Sequence, residues 1–366
     1  MPKVLIVDDS ALMRKVLKEV LEGEAGFEVL TARNGREAVE MNLRWQPDVV
    51  TLDINMPEMD GLTALSYMMA QRRVPVVVIS SLTEKDALVT FEALELGAID
   101  YITKPEGTIS INLHKIKDEI LSKVTVALKA RVGRSWDIIG RTAKREGRPR
   151  GELLEGLGPP PAFSRPDSSR GGEMWGIVVI GASTGGPRTL EEILRALPKN
   201  FPCPVLVAQH MPGAFTRSFA ERLDSICELQ VKEVTSLMPI EKGVVYLAKG
   251  GTDLTLGRRG KNLVLQPKPE NKSFVWHPSV EALGRSVLEN FDPKRTIAVM
   301  LTGMGNDGVE AFSEIKMKGG RTIAEAEETA IVFGMPHELI KRNGATVVLP
   351  FYRIAHQLVK WIDWWN

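Results

Sequence analysis

Cysteine is nearly absent from this chain of 366 residues, where only Cys203 and Cys227 occur. Two thiols cannot build a disulfide framework, and these lack the paired spacing of a structural zinc site. Both are expected as small core residues in a reducing cytosol. Excess charge is scarce too: 47 Lys and Arg face 46 Asp and Glu. So balanced a chain has no long-range field to draw it onto nucleic acid or a membrane surface, and charged partners must be met locally. Long apolar runs are also missing, with nothing near the roughly 20 apolar residues of a membrane helix. Met1-Pro2-Lys3 passes straight into an apolar strand, without the basic region, apolar stretch and cleavage site of a secretory leader. The expectation is a cytoplasmic protein with no nucleic-acid partner and no direct membrane insertion.

What is present is strand and helix alternation, in two separate stretches. Length alone favours two domains. From Lys3 to Ala130 short β-branched runs alternate with helical patterns, with strands expected at Val4–Val7, Glu28–Thr31, Val49–Leu52, Val76–Ile79 and Tyr101–Thr103. Repeated βαβ units of this kind build a parallel sheet. Leu12, Val16, Leu17, Val20 and Leu21 recur at helical spacing and are expected against it. From Arg131 to Gly172 basic residues outnumber acidic ones, Gly158 leads into three prolines, and few apolar anchors remain. That is linker composition. A basic nucleic-acid arm is the other reading, but a solvated hinge accounts for the charge without a partner. Trp136, Ile138 and Ile139 are candidates to dock on one of the domains.

The alternation resumes at Trp175, with strands expected at Ile177–Ile180, Val205–Ala208, Val244–Ala248, Thr296–Leu301, Thr322–Ala324 and Thr346–Leu349. The expected division is residues 1–125, a linker over 126–172, and residues 173–366. Charge in the second domain is nearly balanced and its length far exceeds a small DNA-reading module, which disfavours a nucleic-acid output domain.

Asp8 and Asp9 close the first strand of the first domain and Asp53 closes its third. A doubly wound sheet gathers such strand ends at one edge. Three crowded carboxylates repel one another unless a hard cation takes their oxygens, and Mg2+ suits an all-oxygen set. Ser80 ends the fourth strand and Lys104 the fifth, so each can reach the same crevice.

In the second domain the strand Ile177–Ile180 enters Gly181-Ala182-Ser183-Thr184-Gly185-Gly186-Pro187, and a helical pattern follows from Arg188 to Leu197. Glycines permit the tight turn and Pro187 suits a first helical turn. Ser183 there is expected beside free backbone N–H groups and the positive end of the helix, both useful to an oxyanion. The spacing does not fit the dinucleotide loop G-x-G-x-x-G. It does fit G-x-S-x-G, the nucleophile elbow of α/β-hydrolases. His210 ends the next strand, and histidine ordinarily titrates near neutrality, as a general base requires. Asp307, in the glycine-rich turn after Thr296–Leu301, can orient that imidazole. It can equally serve as a helix N-cap. The order Ser183, His210, Asp307 departs from the elbow family, in which the acid precedes the histidine. Pairing Asp307 with His337 or His356 would restore that order.

Two resemblances follow from these motifs. Val7-Asp8-Asp9-Ser10, Asp53 with Met56-Pro57 and Asp60-Gly61, Ser80-Ser81 and Lys104-Pro105 resemble the receiver domain of response regulators. That likeness implies a flavodoxin-like five-stranded parallel sheet, Asp53 as phosphate acceptor, and Asp8 and Asp9 helping to hold Mg2+. It further implies Ser80 and Lys104 on the phosphoryl group, Tyr101 as switch aromatic, and a cis peptide at Lys104-Pro105. Gly181 to Pro187, Gln209-His210-Met211, Leu301 to Gly308 and Val332-Phe333-Gly334-Met335-Pro336 resemble the protein-glutamate methylesterases of bacterial chemotaxis. This implies a doubly wound, mostly parallel α/β domain with Ser183 as nucleophile, His210 as base, Asp307 as its partner, Thr184 and Met304 lining the site, and no cofactor there. The implied substrates are glutamate methyl esters, and in some members glutamine amides, on methyl-accepting chemoreceptors. The implied phosphodonor is the chemotaxis histidine kinase.

Two segments depart from that family's pattern. Asp253 stands in Gly250-Gly251-Thr252-Asp253 where many relatives carry histidine, and Trp276-His277-Pro278-Ser279 replaces a more usual His-x-Pro-Ser. Both lie outside the Ser183, His210, Asp307 set and bear on loop contacts. A phospho-acceptor fused to a hydrolase through a hinge leads to one further expectation, that the unphosphorylated receiver covers the catalytic edge. At the C-terminus Ile354, Leu358, Trp361, Ile362 and Trp365, with Trp364 beside them, form an amphipathic helix pattern expected to pack.

Overall fold

The computed structural model describes residues 1–81, 83–104, 109–130 and 176–363, and the chain forms two compact units, Met1–Gly133 and Arg134–Asn366. The expected linker anchors Trp136, Ile138 and Ile139, the Lys104-Pro105 peptide, and Trp364 and Trp365 lie outside the described residues.

In the first unit β1 (Lys3–Val7), β2 (Glu28–Ala32), β3 (Val49–Asp53), β4 (Val76–Ser80) and β5 (Asp100–Thr103) form one parallel sheet in the order β2-β1-β3-β4-β5. β3 and β4 are buried along their whole length, as parallel strands covered on both faces must be. The helices are α1 (Ala11–Ala25), α2 (Gly35–Trp45), α3 (Gly61–Gln71), α4 (Glu84–Leu96) and α5 (Ile109–Lys129). Ser10, Asn34, Asp60 and Thr83 cap the first four, each side chain accepting the N–H three residues on. Met13, Val16, Leu17, Val20 and Leu21 bury one stripe of α1, whereas Leu12, expected on that stripe, is 55% exposed. The stripe keeps the spacing i, i+3, i+4, i+7, i+8 from Met13, and Leu12 falls outside it.

The second unit has a seven-stranded parallel sheet. Its strands are β6 (Ile177–Ala182), β7 (Val205–Gln209), β8 (Gln230–Val234), β10 (Val244–Ala248), β13 (Thr296–Met300), β14 (Arg321–Glu325) and β15 (Val347–Leu349), in the order β15-β14-β13-β6-β7-β10-β8. A separate antiparallel sheet joins β9 (Met238–Pro239), β11 (Thr252–Arg259) and β12 (Asn262–Pro269). β8 and this small sheet were not expected from the sequence. The chain leaves β6 towards β7 and later returns to β13 on the opposite flank of β6. Connections from these neighbouring strands diverge there, and a crevice opens at their carboxyl ends.

The other helices among the described residues are α6 (Gly186–Arg195), α7 (Gly213–Ile226), α8 (Val280–Asn290), α9 (Val309–Met317), α10 (Met335–Lys341) and α11 (Phe351–Asp363). α11 packs on α6 and buries Ile354, Leu358 and Ile362. Trp361, beside them, has the Arg321 guanidinium 5.3 Å from its ring centre. A core running through Leu206, Tyr246, Leu254, Leu265, Leu283 and Phe312 joins the large sheet, the small sheet and α8. That packing brings the start of α8 to the crevice. There Val280 fills space that a Cβ on Gly181 or Gly308 would occupy, at 2.3 and 2.2 Å from its Cγ1.

Candidate active site

The pairing of Ala182 with Gln209 and of Gly181 with Met300 levels the ends of β6, β7 and β13. Ser183, His210 and Asp307 leave those ends and meet at one rim. Gly185, in the left-handed region at φ 80°, turns the chain into α6, whose first turn holds Pro187. His210 Nδ1 lies 3.1 Å from Ser183 Oγ, and His210 Nε2 lies 2.8 Å from Asp307 Oδ2. A carboxylate can only accept, so the proton sits on Nε2 and Nδ1 is left to accept from the serine hydroxyl. The three side chains are largely buried.

Asp307 does not cap the helix that follows it, because Gly308 holds that position. Its oxygens instead sit at the start of α8. Oδ2 accepts the Val280 N–H at 2.7 Å, and Oδ1 accepts the Glu281 N–H and the Ser279 hydroxyl, each at 3.0 Å. Burial works to raise this carboxyl, but the hydrogen bond and charge of His210 and the two backbone N–H groups outweigh it, and the net shift is downward. His337 packs near Phe333 and His356 lies in α11. The imidazole bonded to Asp307 is that of His210, so the elbow-family pairing is not formed.

The Ser183 N–H donates to Thr302 O at 3.0 Å, and the first N–H of α6, from Gly186, donates to Ser183 O at 2.7 Å. These bonds fix the nucleophile's backbone. Thr302 ties the turn further: its hydroxyl donates to Thr184 O at 2.9 Å, and its N–H donates to Glu325 Oε2 at 2.8 Å. Glu325 is fully buried at the end of β14, and burial pushes its carboxyl up to about 7 despite the bonds from Thr302 and Thr329. Gln209 Nε2 donates to Ser183 O at 2.9 Å and His210 O at 3.1 Å, joining the two loops from below. Thr184 is buried beside the serine and Met304 is 43% exposed on the neighbouring loop.

Sequence reasoning did not find the aromatic neighbour of His210. Trp276 stacks on the imidazole, with ring centres 5.0 Å apart and planes 13° from parallel. The signal available was the departure of Trp276 to Ser279 from the family pattern.

In the first unit the rim at β1 and β3 collects Asp8, Asp9 and Asp53, whose oxygens lie within 4.8 Å of one another. Lys104 Nζ donates to Asp53 Oδ2 at 2.7 Å and lies 3.5 Å from Asp8 Oδ2. Burial, only partly offset by Lys104, raises Asp53 and pushes Asp8 up to about 6. Apart from its ion-pair contact with Lys104, Asp8 Oδ2 is buried without a hydrogen-bond donor among the described residues. A hard divalent cation fits this donor set, because it would take up that oxygen and offset the mutual repulsion of the carboxylates. Ser80 is buried at the same rim and accepts from Thr90 Oγ1 at 2.8 Å. Tyr101 is buried, with Lys123 Nζ 4.7 Å from its ring centre.

Two sites of different chemistry thus share one chain, and the class they define is a response regulator whose output unit is a hydrolase. Known proteins narrow the class. A family described as response regulator receiver domain matches residues 4–114, and one described as CheB methylesterase matches residues 178–358. The protein-glutamate methylesterase/protein-glutamine glutaminase 3 of Rhodospirillum rubrum is 53% identical over 99% of this chain and 97% of its own length. A counterpart in Carboxydothermus hydrogenoformans is 50% identical over 98% of both chains. The solved CheB catalytic domain of Thermotoga maritima covers 51% of this chain and 98% of its own, at 44% identity and a TM-score of 0.49. The chain belongs to the protein-glutamate methylesterase/protein-glutamine glutaminase family. Among the described residues no helix is long and apolar enough to cross a membrane.

Proposed function

We propose that this protein hydrolyses glutamate methyl esters on methyl-accepting chemoreceptors to glutamate and methanol, under control of phosphorylation at Asp53. In this reading residues 1–125 are the receiver, 126–172 a linker and 173–366 the catalytic domain, and the chemotaxis histidine kinase is the phosphodonor. The receptor segments concerned are cytoplasmic, and so is the enzyme.

The observation that carries the reading is the hydrogen-bonded row from Ser183 through His210 to Asp307. Ser183 Oγ attacks the ester carbonyl while His210 Nδ1 takes its proton. The tetrahedral intermediate collapses as the same nitrogen returns that proton to the departing methoxide, which leaves as methanol. Water, deprotonated in turn by His210, then attacks the acyl-enzyme, releasing glutamate and restoring the serine. Asp307 holds the Nε2 proton throughout and stabilises the imidazolium. A glutamine amide follows the same course with ammonia as leaving group, in keeping with the double name of the relatives. No cofactor is required at this site.

In the receiver Asp8, Asp9 and Asp53 would hold Mg2+, which when bound neutralises charge around a phosphoryl group. Asp53 accepts the phosphoryl group, and Lys104 and Ser80 bind its oxygens. Tyr101, with Lys123 over its ring, is the switch aromatic.

Methanol release from methylated receptor tests the proposal. Ser183→Ala and His210→Ala are expected to lower turnover by about 10,000-fold or more, judged from other serine triads. Parental activity in His210→Ala would refute it.

A further inference from the structure

The two segments that depart from the family pattern meet in space. Asp253, in β11, is 2% exposed. Its oxygens lie 3.0 and 3.1 Å from His277 Nδ1 and accept the N–H groups of Ser279 at 3.0 Å and Asn271 at 3.3 Å. The Gly251 N–H donates to His277 O at 3.1 Å. One buried carboxylate therefore binds the segment Asn271–Ser279 at its two ends and through a side chain between them. Because that carboxylate can only accept, His277 carries its proton on Nδ1.

From this segment two side chains reach the catalytic row. The Trp276 indole lies over the His210 imidazole, and the Ser279 hydroxyl donates to Asp307 Oδ1. Asp253 and His277 make no hydrogen bond to the row themselves. Burial covers the indole only in part, since Trp276 is 42% exposed and its neighbour Val275 is 86% exposed. The apolar area it covers favours contact without fixing the ring's angle, and directed bonds hold the backbone that carries it. Two hydrogen bonds in the ring plane fix where the imidazole nitrogens point but resist tilting weakly. A stacked indole resists tilting and keeps water off one face, where exclusion of water strengthens the remaining hydrogen bonds.

We propose that Asp253, acting through His277 and the Ser279 N–H, is a positioning residue that holds Trp276 on His210 and so keeps Nδ1 aimed at Ser183. The inference rests on the assignment of His210 as base. A bland role for Asp253, stapling the loop for stability alone, would leave the chemistry of Ser183 unaffected once the protein is folded.

The test is the rate at which diisopropyl fluorophosphate modifies Ser183, with loss of fluoride, in the full chain well below its melting temperature. Asp253→Ala and Trp276→Ala are each expected to slow labelling by about 10- to 100-fold, the scale on which small misplacements act. If Asp253 works through Trp276, the double variant is no slower than the slower single variant. His277→Ala should follow Asp253→Ala, and both should lose the near-ultraviolet dichroism that Trp276→Ala loses. Parental labelling in Asp253→Ala, or losses that multiply in the double variant, overturns the proposal. Should Asp253→Ala not fold, Asp253→Asn carries the same cycle, since it keeps the size and removes the charge facing His277. Receptor ester hydrolysis is followed in parallel. The same labelling pattern without ester hydrolysis supports the positioning role while refuting the substrate, and a parent whose Ser183 does not label even with acetyl phosphate and Mg2+ present refutes both.

Discussion

Asp307→Asn separates the two duties of one side chain. Both oxygens accept a backbone N–H at the start of α8, Val280 on Oδ2 and Glu281 on Oδ1. Whichever way the amide turns, its NH2 group replaces an acceptor and faces one of those donors. An unsatisfied buried donor costs about 1–3 kcal/mol, and loss of the negative charge at a helix start adds up to about 1 kcal/mol. Turned towards His210, the NH2 also forces the imidazole proton onto Nδ1, where it can no longer receive one from Ser183. Turned away, it leaves the imidazolium without a counter-charge. In serine proteases the corresponding change lowers kcat by about 10^4, or about 5.5 kcal/mol. The downward shift of Asp307 has a definite sign in stability. Its contribution is present above the ordinary carboxylate value of about 4 and is lost as pH falls through the lower folded value. Asp307→Asn should therefore lose turnover at neutral pH, melt several degrees lower, and show a flatter acid limb of stability. Methanol release and thermal melts across pH measure these together. Turnover within tenfold of the parent with an unchanged melting temperature would refute the reasoning.

Glu325 gives the opposite sign. Its carboxyl is pushed up to about 7 by burial, so its stabilisation is full below about pH 4.5 and fades as pH rises through 7, a swing of about 3 kcal/mol. Urea unfolding at about pH 4.5 and pH 8 should show Glu325→Gln gaining that much on the parent between the two; an equal pH dependence in both proteins counts against it. Asp53→Asn should abolish phosphoryl incorporation from acetyl phosphate with Mg2+, read by intact mass, and labelling at the parental level would mean another acceptor. Removing residues 1–172 is expected to raise basal ester hydrolysis, and a fall would mean that phosphorylation activates directly.

The sites were legible because both units use parallel strands whose carboxyl ends carry the chemistry. Asp8, Asp53, Ser80, Ser183 and His210 each stand at or just past such an end, and a run of β-branched residues before each marks the strand. Local pattern could not show what the far end of a carboxylate touches. Asp307 resembled an ordinary cap for the residues after it, yet its donors come from Val280 and Glu281. Glu325 was not singled out at all, and nothing in the sequence placed Thr302 on it. The missed strands fail for a physical reason too. Gln230–Val234 has an exposed glutamine and two partly exposed charged residues at a sheet edge, and Asn262–Pro269 mixes prolines and a lysine into its apolar positions. Leu12 was misplaced because helical spacing defines a stripe without saying which residue begins it.

The orientation of His210 bears on how the enzyme can be trapped. In well-known serine proteases the imidazole offers Nε2 to the nucleophile, whereas here Nδ1 faces Ser183 and Nε2 is engaged with Asp307. Nδ1 is one bond from the ring carbon that joins the side chain, so an alkylating warhead entering beside the serine must reach closer to the main chain to find a nitrogen. A chloromethyl ketone anchored at Ser183 would therefore leave its adduct on Nδ1, the nitrogen that faces the serine, where a protease carries it on Nε2.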